Sequence, residues 1–257
     1  MIAPMNRLAF LAGLWLLGTF DQALTLPTDQ VVLRFSQDDA SEIAKKVQKE
    51  LKEAEIIPTV IDEFTPSLTL QAEWSSDNSA LLGNTLKPKK LQDAPSISLH
   101  NPSRAGETKH CSHGLSSKTY IITLTDPDAP SRDDPKWSEM CHWIAAAHRV
   151  STLSTPTRMR DCLFTESLAF AELEEIMPYK APGPPEKTGK HRYVFFAFTA
   201  ENGTTDKLYP SKPKDRQHWG YDSPGEDGQT HGVRDWAKEN GLVPVAANFI
   251  YSKNKKQ

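Results

Sequence analysis

Hydrophobic and polar positions alternate in short runs along most of the chain, and two stretches break that rhythm. In Asp39–Glu55, Ile43, Val47, Leu51 and Ala54 form one apolar stripe, Lys and Glu fill the remaining positions, and Pro58 stops the run, so a helix is predicted. Asp39 can cap it, with Glu42 reaching back as in a capping box. Near the other end, Val233, Trp236 and Ala237 give a shorter helical stripe that Gly241 terminates. Between them the period is two. Leu68, Leu70, Ala72 and Trp74 alternate, as do Ile97 and Leu99, followed by Tyr120–Leu124 and a closing run at Leu242–Tyr251. His191–Thr199 is the most strongly β segment, with His191, Tyr193 and Phe195 on one side and Arg192, Val194 and Phe196 on the other. Within Ser151–Pro178, Leu168, Ala171, Leu173 and Ile176 suggest a short helical or loop insertion. The expected fold is one mostly β domain with a helix near each end.

The candidate chemistry concentrates in Thr125–Trp143. Asp126, Pro127, Asp128 and Pro130 arrive directly after the Tyr120–Leu124 strand. Proline fixes φ and supplies no amide donor, so two of them end regular pairing and hold the turn in few conformations. His142-Trp143 then opens a second apolar run, Ile144–Ala147. A strand, a stiff acidic turn and a returning strand bring Asp126, Asp128 and His142 to one mouth of a sheet. The plain alternative is a surface turn capped by its own aspartates. Pro182-Gly183-Pro184-Pro185 cannot be helix or central strand and forms a fixed loop before His191.

Composition narrows the class. With 257 residues the chain can build one good-sized core, and a net charge of −3 gives no global field for nucleic acid or an anionic membrane surface. Pro at 19 exceeds Gly at 13, which suits a loop-rich β protein. Arg7 followed by the apolar Leu8–Phe20 reads as a signal peptide too short to span a bilayer, with cleavage expected after Thr25; an uncleaved anchor is the alternative. The mature domain is then 26–257, with 26–57 as an N-terminal segment carrying the helix and no transmembrane segment remaining. Asn202-Gly203-Thr204 is a sequon in a turn-like stretch, to be glycosylated on export. Cys111, Cys141 and Cys162 are odd in number, so one disulfide and one free thiol is the simplest arrangement, with the pairing open. His110-Cys111-Ser112-His113 lacks a fourth ligand for a closed zinc site, so neither metal nor cofactor is expected. Cys141 as nucleophile is discounted, because adjacent strand residues face opposite ways and His142 is wanted in the pocket. Lys253–Lys256 reads as a solvated tail, too short to make a basic patch.

The strings DPDAPSRDDP with E-x-x-H-W, and Gly183-Pro184-Pro185 with Thr188–Phe195, resemble the two motif blocks of the phosphatidylethanolamine-binding protein family. Trp236–Phe249 is similar to that family's closing helix and strand. Ile57-Pro58, Asp62–Phe64, Pro66 and Gly83-Asn84 resemble its longer fungal branch, which includes carboxypeptidase Y inhibitors. The resemblance implies a β-sandwich of a large antiparallel sheet and a smaller sheet, with a small anion-accepting pocket at one end. Carried over by motif position, its ligand-binding residues are Asp126, Asp128, Pro130, His142, Gly183, His191 and Tyr193. The two histidines and the phenol would donate to phosphate or carboxylate oxygens, and the aspartates would orient the imidazoles or meet an ammonium. This chain departs from the pattern at Met140-Cys141, at Phe196-Ala197 and in Ser151–Pro178.

Three function classes follow. One is a secreted or vacuolar binding module for a small anion or phospholipid head group. The second is an inhibitor of a serine carboxypeptidase, to which an N-terminal segment of this kind contributes grip; the competing role for the helix is docking on its own sheet. The third is an accessory or catalytic protein in fungal polyketide (maleic-anhydride dimer) biosynthesis. No catalytic residue is assigned, and no G-x-S-x-G nucleophile turn is present.

Overall fold

The computed structural model describes residues 40–102, 118–148, 151–152, 167–170, 172–219 and 232–256, all within the compact unit Gln37–Gln257. The leader, the Asp39 cap, the 110–113 cluster, Cys111, Cys162 and Ala171 lie outside them. The elements run α1 (Ala40–Glu53), β1 (Thr69–Ser75), β2 (Asn78–Ser79), β3 (Asn84–Leu86), β4 (Ser96–His100), β5 (Tyr120–Asp126) and β6 (Met140–Ala147). Then come β7 (Ser151–Thr152), β8 (Ser167–Ala169), β9 (Glu174–Met177), β10 (Lys190–Ala200), α2 (Gly232–Glu239) and β11 (Leu242–Lys253).

The strands form two sheets. The smaller has the order β2-β1-β4-β8-β7, and the larger β3-β11-β10-β5-β6-β9. Pairing is antiparallel except at one edge, where β3 runs parallel to β11 with Ile250 opposite Asn84 and Ser252 opposite Leu86. Side chains of alternate positions divide between two cores. Tyr120, Ile122, Leu124, Tyr193 and Phe195 fill the space between the sheets with Leu70, Ile97 and Leu99. Ile121, Val194, Phe196 and Phe198 face the other way, joining Val47 and Leu51 of α1 and Trp236 of α2 in a second buried cluster. The α1 stripe is therefore docked on its own sheet.

Where a short helical or loop insertion was expected within Ser151–Pro178, the described residues carry the short strands β7, β8 and β9 and no helix. β8 pairs with β4 through Leu168 opposite Leu99, and β9 pairs with β6 through Met177 opposite Ile144. The three-residue spacing of apolar groups straddles two short strands that belong to different sheets, which mimics a helical period. Asn202 is exposed in the turn after β10, and its side-chain carbonyl accepts the Thr204 N–H at 3.0 Å. Among the described residues no helix is long and apolar enough to cross a membrane.

Candidate functional site

β5 ends, β6 begins and β10 begins at the same end of the large sheet, and a cavity of about 290 Å³ opens there. Its polar lining is Asp126, His142, Lys180, His191 and Tyr193; Pro130, Trp137, Met140 and Gly183 contribute the rest with Ala129, Ala181 and Pro185. Asp126, His142, His191 and Tyr193 are each no more than 3% exposed.

His142 reaches this wall through a β-bulge. Leu124 lies opposite Trp143 but Thr125 lies opposite Cys141, so His142 is the extra residue. Bulges turn one side chain relative to its neighbours. Here Cys141 goes to the helix-side core, Trp143 to the inter-sheet core, and His142 into the cavity. The Cys141 thiol is free, and burial pushes its pKa up to about 12, which removes it as a nucleophile at neutral pH.

Asp126 is the hub. One carboxylate oxygen accepts the Asp128 N–H at 2.9 Å, and the other accepts His191 Nδ1–H at 2.9 Å. Burial first, then the charge and hydrogen bonding of Asp126, push the Tyr193 phenol well above its usual pKa; a Gly183 backbone hydrogen bond opposes them. Tyr193 therefore stays protonated. The His191 ring stacks near it with centroids 6.3 Å apart, and the His142 ring meets it edge-on at 5.2 Å.

The two histidines are not equivalent. His191 has both ring nitrogens engaged, Nε2 lying 3.0 Å from the Thr188 hydroxyl. His142 donates Nδ1–H to the Lys180 carbonyl at 2.7 Å, which fixes the tautomer and leaves Nε2 as the free electron pair. That Nε2 is buried without a protein partner, 4.0 Å from the Asp126 carboxylate. Burial lowers the His142 pKa, with Asp126 opposing, so at neutral pH the ring is uncharged and offers an acceptor. The sequence expectation had both histidines donating to an oxyanion. In this arrangement His191 is committed to Asp126 and Thr188, and His142 donates into the cavity only when protonated.

Asp128 does not line the cavity. Its carboxylate, 1% exposed, turns to the opposite face and takes the Arg192 N–H at 2.7 Å and the guanidinium at 2.5–3.1 Å. The alternation of β10 foretold that Arg192 points away from His191; that it captures the second aspartate of the same turn was not foreseen. Pro130 and Gly183 are at the cavity as expected, while Phe196 and Ala197 are core residues away from it. Lys180 and Trp137 were missed. Lys180 precedes the proline-rich loop whose stiffness was the available signal. Trp137, 36% exposed, is held at the rim by its backbone N–H, which donates to the Ala129 carbonyl at 2.9 Å. Among the described residues no group of three or more His, Cys, Asp or Glu is arranged to hold a metal ion.

A two-sheet protein with helices on the outer face of the larger sheet and a small polar cavity at its end defines the class. The chain belongs to the phosphatidylethanolamine-binding protein family, whose profile matches residues 72–250. It is 33% identical over 196 residues to the carboxypeptidase Y inhibitor of Saccharomyces cerevisiae, covering 75% of this chain and 87% of that protein. It is also 27% identical over 209 residues to CEN-like protein 1 of Nicotiana tabacum, covering 81% and 94% of the two chains. Among solved structures, a carboxypeptidase Y inhibitor complexed with its cognate proteinase matches with TM-score 0.64 and 30% identity, over 82% of this chain and 97% of that one. A phosphatidylethanolamine-binding protein from Plasmodium vivax shares the fold at TM-score 0.51 and 19% identity, over 80% and 97%.

Proposed function

We propose that the cavity binds a small oxoacid, a phosphate monoester or carboxylic acid, that shares a proton with His142. The observation that carries this is the buried, unpartnered Nε2 of His142 beside the Asp126 carboxylate. A fully ionised oxyanion would meet an electron pair and a negative charge there. A ligand oxygen bearing a proton satisfies Nε2 directly, and so does an anion that arrives with protonation of His142. Either way binding takes up a proton relative to the free species at neutral pH. The Lys180 ammonium at the rim faces any remaining negative charge, and Trp137, Met140 and Pro130 accept an apolar substituent. Calorimetry with phosphoethanolamine, inorganic phosphate and a small dicarboxylate, in two buffers of different ionisation enthalpy, tests it. Net proton uptake at about pH 7.5 is expected. Binding without proton uptake sinks the reading, and a marked dicarboxylate preference would favour the auxiliary-catalyst class instead.

A second reading, inhibition of a serine carboxypeptidase in the vacuole or secretory pathway, is favoured by the similarity to the yeast inhibitor along 87% of its length. Its N-terminal segment would supply grip, but α1 cannot be removed to test this. Leu51, Ile56 and Ile57 are 0%, 0% and 6% exposed within the helix-side core, and losing one such side chain costs about 2–5 kcal/mol. A chain lacking residues 1–38 keeps that core. Inhibition of carboxypeptidase Y by the chain that begins after the leader, weakened by further deletion to residue 38, is the expected result. Absence of inhibition by the longer chain excludes the class.

A further inference from the structure

Arg216 does not line the cavity, yet it touches both pieces of chain that hold His142 there. β9 pairs with β6 only as far as Met177, opposite Ile144. Pro178 then has no N–H to donate, so the regular ladder cannot continue toward the bulge at His142. The chain rejoins β6 at Lys180, whose N–H donates to the His142 carbonyl at 2.7 Å and whose carbonyl takes His142 Nδ1–H at 2.7 Å. Between those points the backbone needs another partner, and Arg216 supplies it. Its Nη1 donates to the Cys141 and His142 carbonyls at 3.1 and 3.3 Å, and its Nη2 donates to the Pro178 carbonyl at 2.6 Å. The Arg216 carbonyl accepts the Cys141 N–H at 2.6 Å. A planar fork with fixed donors suits that span; a lysine ammonium is a single point.

The bracing residue is itself anchored. The Asp215 carboxylate accepts the N–H groups of Arg216 and Gln217 at 2.6 and 3.3 Å, closing the turn. His218 N–H donates to the Trp137 carbonyl at 3.4 Å, and the Trp219 indole N–H donates to the Thr125 hydroxyl at 3.2 Å. Thr125 lies opposite Cys141 in the β5–β6 pair. The turn 215–219 is thus tied to the same two strands that carry Asp126 and His142.

We propose that Arg216 is a positioning residue for the cavity: its guanidinium braces the β6 bulge against the 178–180 segment and so fixes the ring orientation and the Nδ1–H tautomer of His142. That role rests on the proposed sharing of a proton at His142 Nε2. The tautomer is contested, because the Asp126 carboxylate, 4.0 Å from Nε2, would favour a proton on that nitrogen. The Lys180 carbonyl keeps the proton on Nδ1 only while it is held beside it. Arg216 also acts by charge. After burial, the Lys180 and Arg216 cations hold the His142 pKa down, with the Asp126 charge and the Lys180 carbonyl opposing. From β10, Tyr193 and His191 are the other titratable groups at this wall.

The test is nitrogen NMR of the His142 ring in the full chain without ligand at about pH 7.5, with His142→Ala used to assign the signals. Wild type should show one tautomer, protonated at Nδ1. Arg216→Lys keeps the charge but not the fork, and Arg216→Gln keeps neither. Both should mix the tautomers, so that Nε2 carries the proton part of the time. Titration separates the two contributions: the His142 pKa should rise in Arg216→Gln and change less in Arg216→Lys. Asp215→Ala loosens the turn but leaves the guanidinium, and should keep the wild-type ring signals. At about pH 5.5, Arg216→Lys should weaken inorganic-phosphate binding by up to about tenfold, less than His142→Ala. Mixed tautomers in wild type, or an unmixed tautomer in both Arg216 variants, overturn the positioning role. So does a shift in Asp215→Ala as large as that in Arg216→Gln. Failure of both Arg216 variants to fold would make the residue a support of the fold alone and overturn it too. Should inorganic phosphate not bind wild type, the cavity reading fails, while the ring signals of the unliganded chain still decide Arg216.

Discussion

Arg192 holds Asp128 with its backbone N–H and its guanidinium, and the same guanidinium donates to the carbonyls of Ala54 and Glu55 at 3.0 and 2.7 Å. One buried residue of β10 thereby fixes the acidic turn that carries Asp126 and satisfies the carbonyl end of α1. The Asp128 N–H closes the path by donating to Asp126. The cavity wall and the N-terminal helix share a support that neither contains alone.

Arg192→Ala should therefore destabilise the protein by about 3–5 kcal/mol, because it strands the Asp128 carboxylate in the interior and leaves two helix-end carbonyls unpaired. Urea unfolding measures this. Asp128→Asn should cost less than Arg192→Ala, since the amide still accepts from the Arg192 N–H and strands a cation that keeps the Ala54 and Glu55 carbonyls. Equal stability of wild type and Arg192→Ala would refute this account of the link.

Oxoacid affinity should rise as pH falls. Burial holds the His142 pKa below its ordinary value near 6.5, so the charged form that donates from Nε2 accumulates only below that pH. Without ligand the sign on stability is opposite: folding with a neutral, buried His142 is fully favourable above about 6.5 and loses ground as pH falls towards the depressed folded pKa. His142→Ala should flatten the pH dependence of phosphate affinity and weaken binding at about pH 5.5 by ten- to a hundredfold, about 1.5–3 kcal/mol. Asp126→Asn should instead loosen His191, visible as a change in its ring NMR shifts. A His142→Ala chain with the wild-type pH profile would place the titrating group elsewhere.

Much of this was legible along the chain. The period-two runs located β1, β4, β5, β10 and β11, and the β10 alternation separated His191 and Tyr193 from Arg192. What was not legible depends on pairing. The bulge that aims His142 exists only in the register of β5 against β6. Asp126 and Asp128, two residues apart in a proline-stiffened turn, looked like one acidic pair. They divide because Arg192 waits on the far face. β8 and β9 looked continuous in sequence yet serve different sheets. β3 lies parallel to β11, a contact between residues 84–86 and 250–252 that no local pattern announces.

Export carries its own prediction. Asn202 is exposed in a turn with Gly203 at φ +70, and its side-chain oxygen accepts the Thr204 N–H. Secreted material should begin between Leu24 and Pro27 by N-terminal sequencing and should lose mass with an endoglycosidase. Asn202→Gln should abolish that mass loss without altering the melting temperature. Intact Met1 in a cytosolic pool, with no glycan, would count against the leader and the sequon together.

Glu139 sets a pH dependence of the opposite sign to His142. It is 4% exposed, on the helix side of the sheet, where one carboxylate oxygen accepts the Thr125 hydroxyl at 2.7 Å and the Val233 N–H, in the first turn of α2, at 3.3 Å. A Cβ on Gly232 would collide with it, so the carboxyl is seated against the helix start. Burial raises its pKa from 4.5 to about 7 despite those two donors. A raised carboxyl contributes stability that is fully present below about 4.5 and is lost as pH rises through about 7. The shift corresponds to about 3 kcal/mol at most between those limits. Glu139→Gln keeps a carbonyl to accept from Thr125 and Val233 but carries no charge. The difference in unfolding free energy between wild type and Glu139→Gln should therefore move in favour of the variant from about pH 5 to about pH 8. Because the His142 contribution is common to both chains, it cancels in that difference. Trp219 and Trp236, with ring centroids 5.4 Å apart beside this site, give a fluorescence signal for the transition. A difference that stays constant across that range would show that Glu139 does not titrate there.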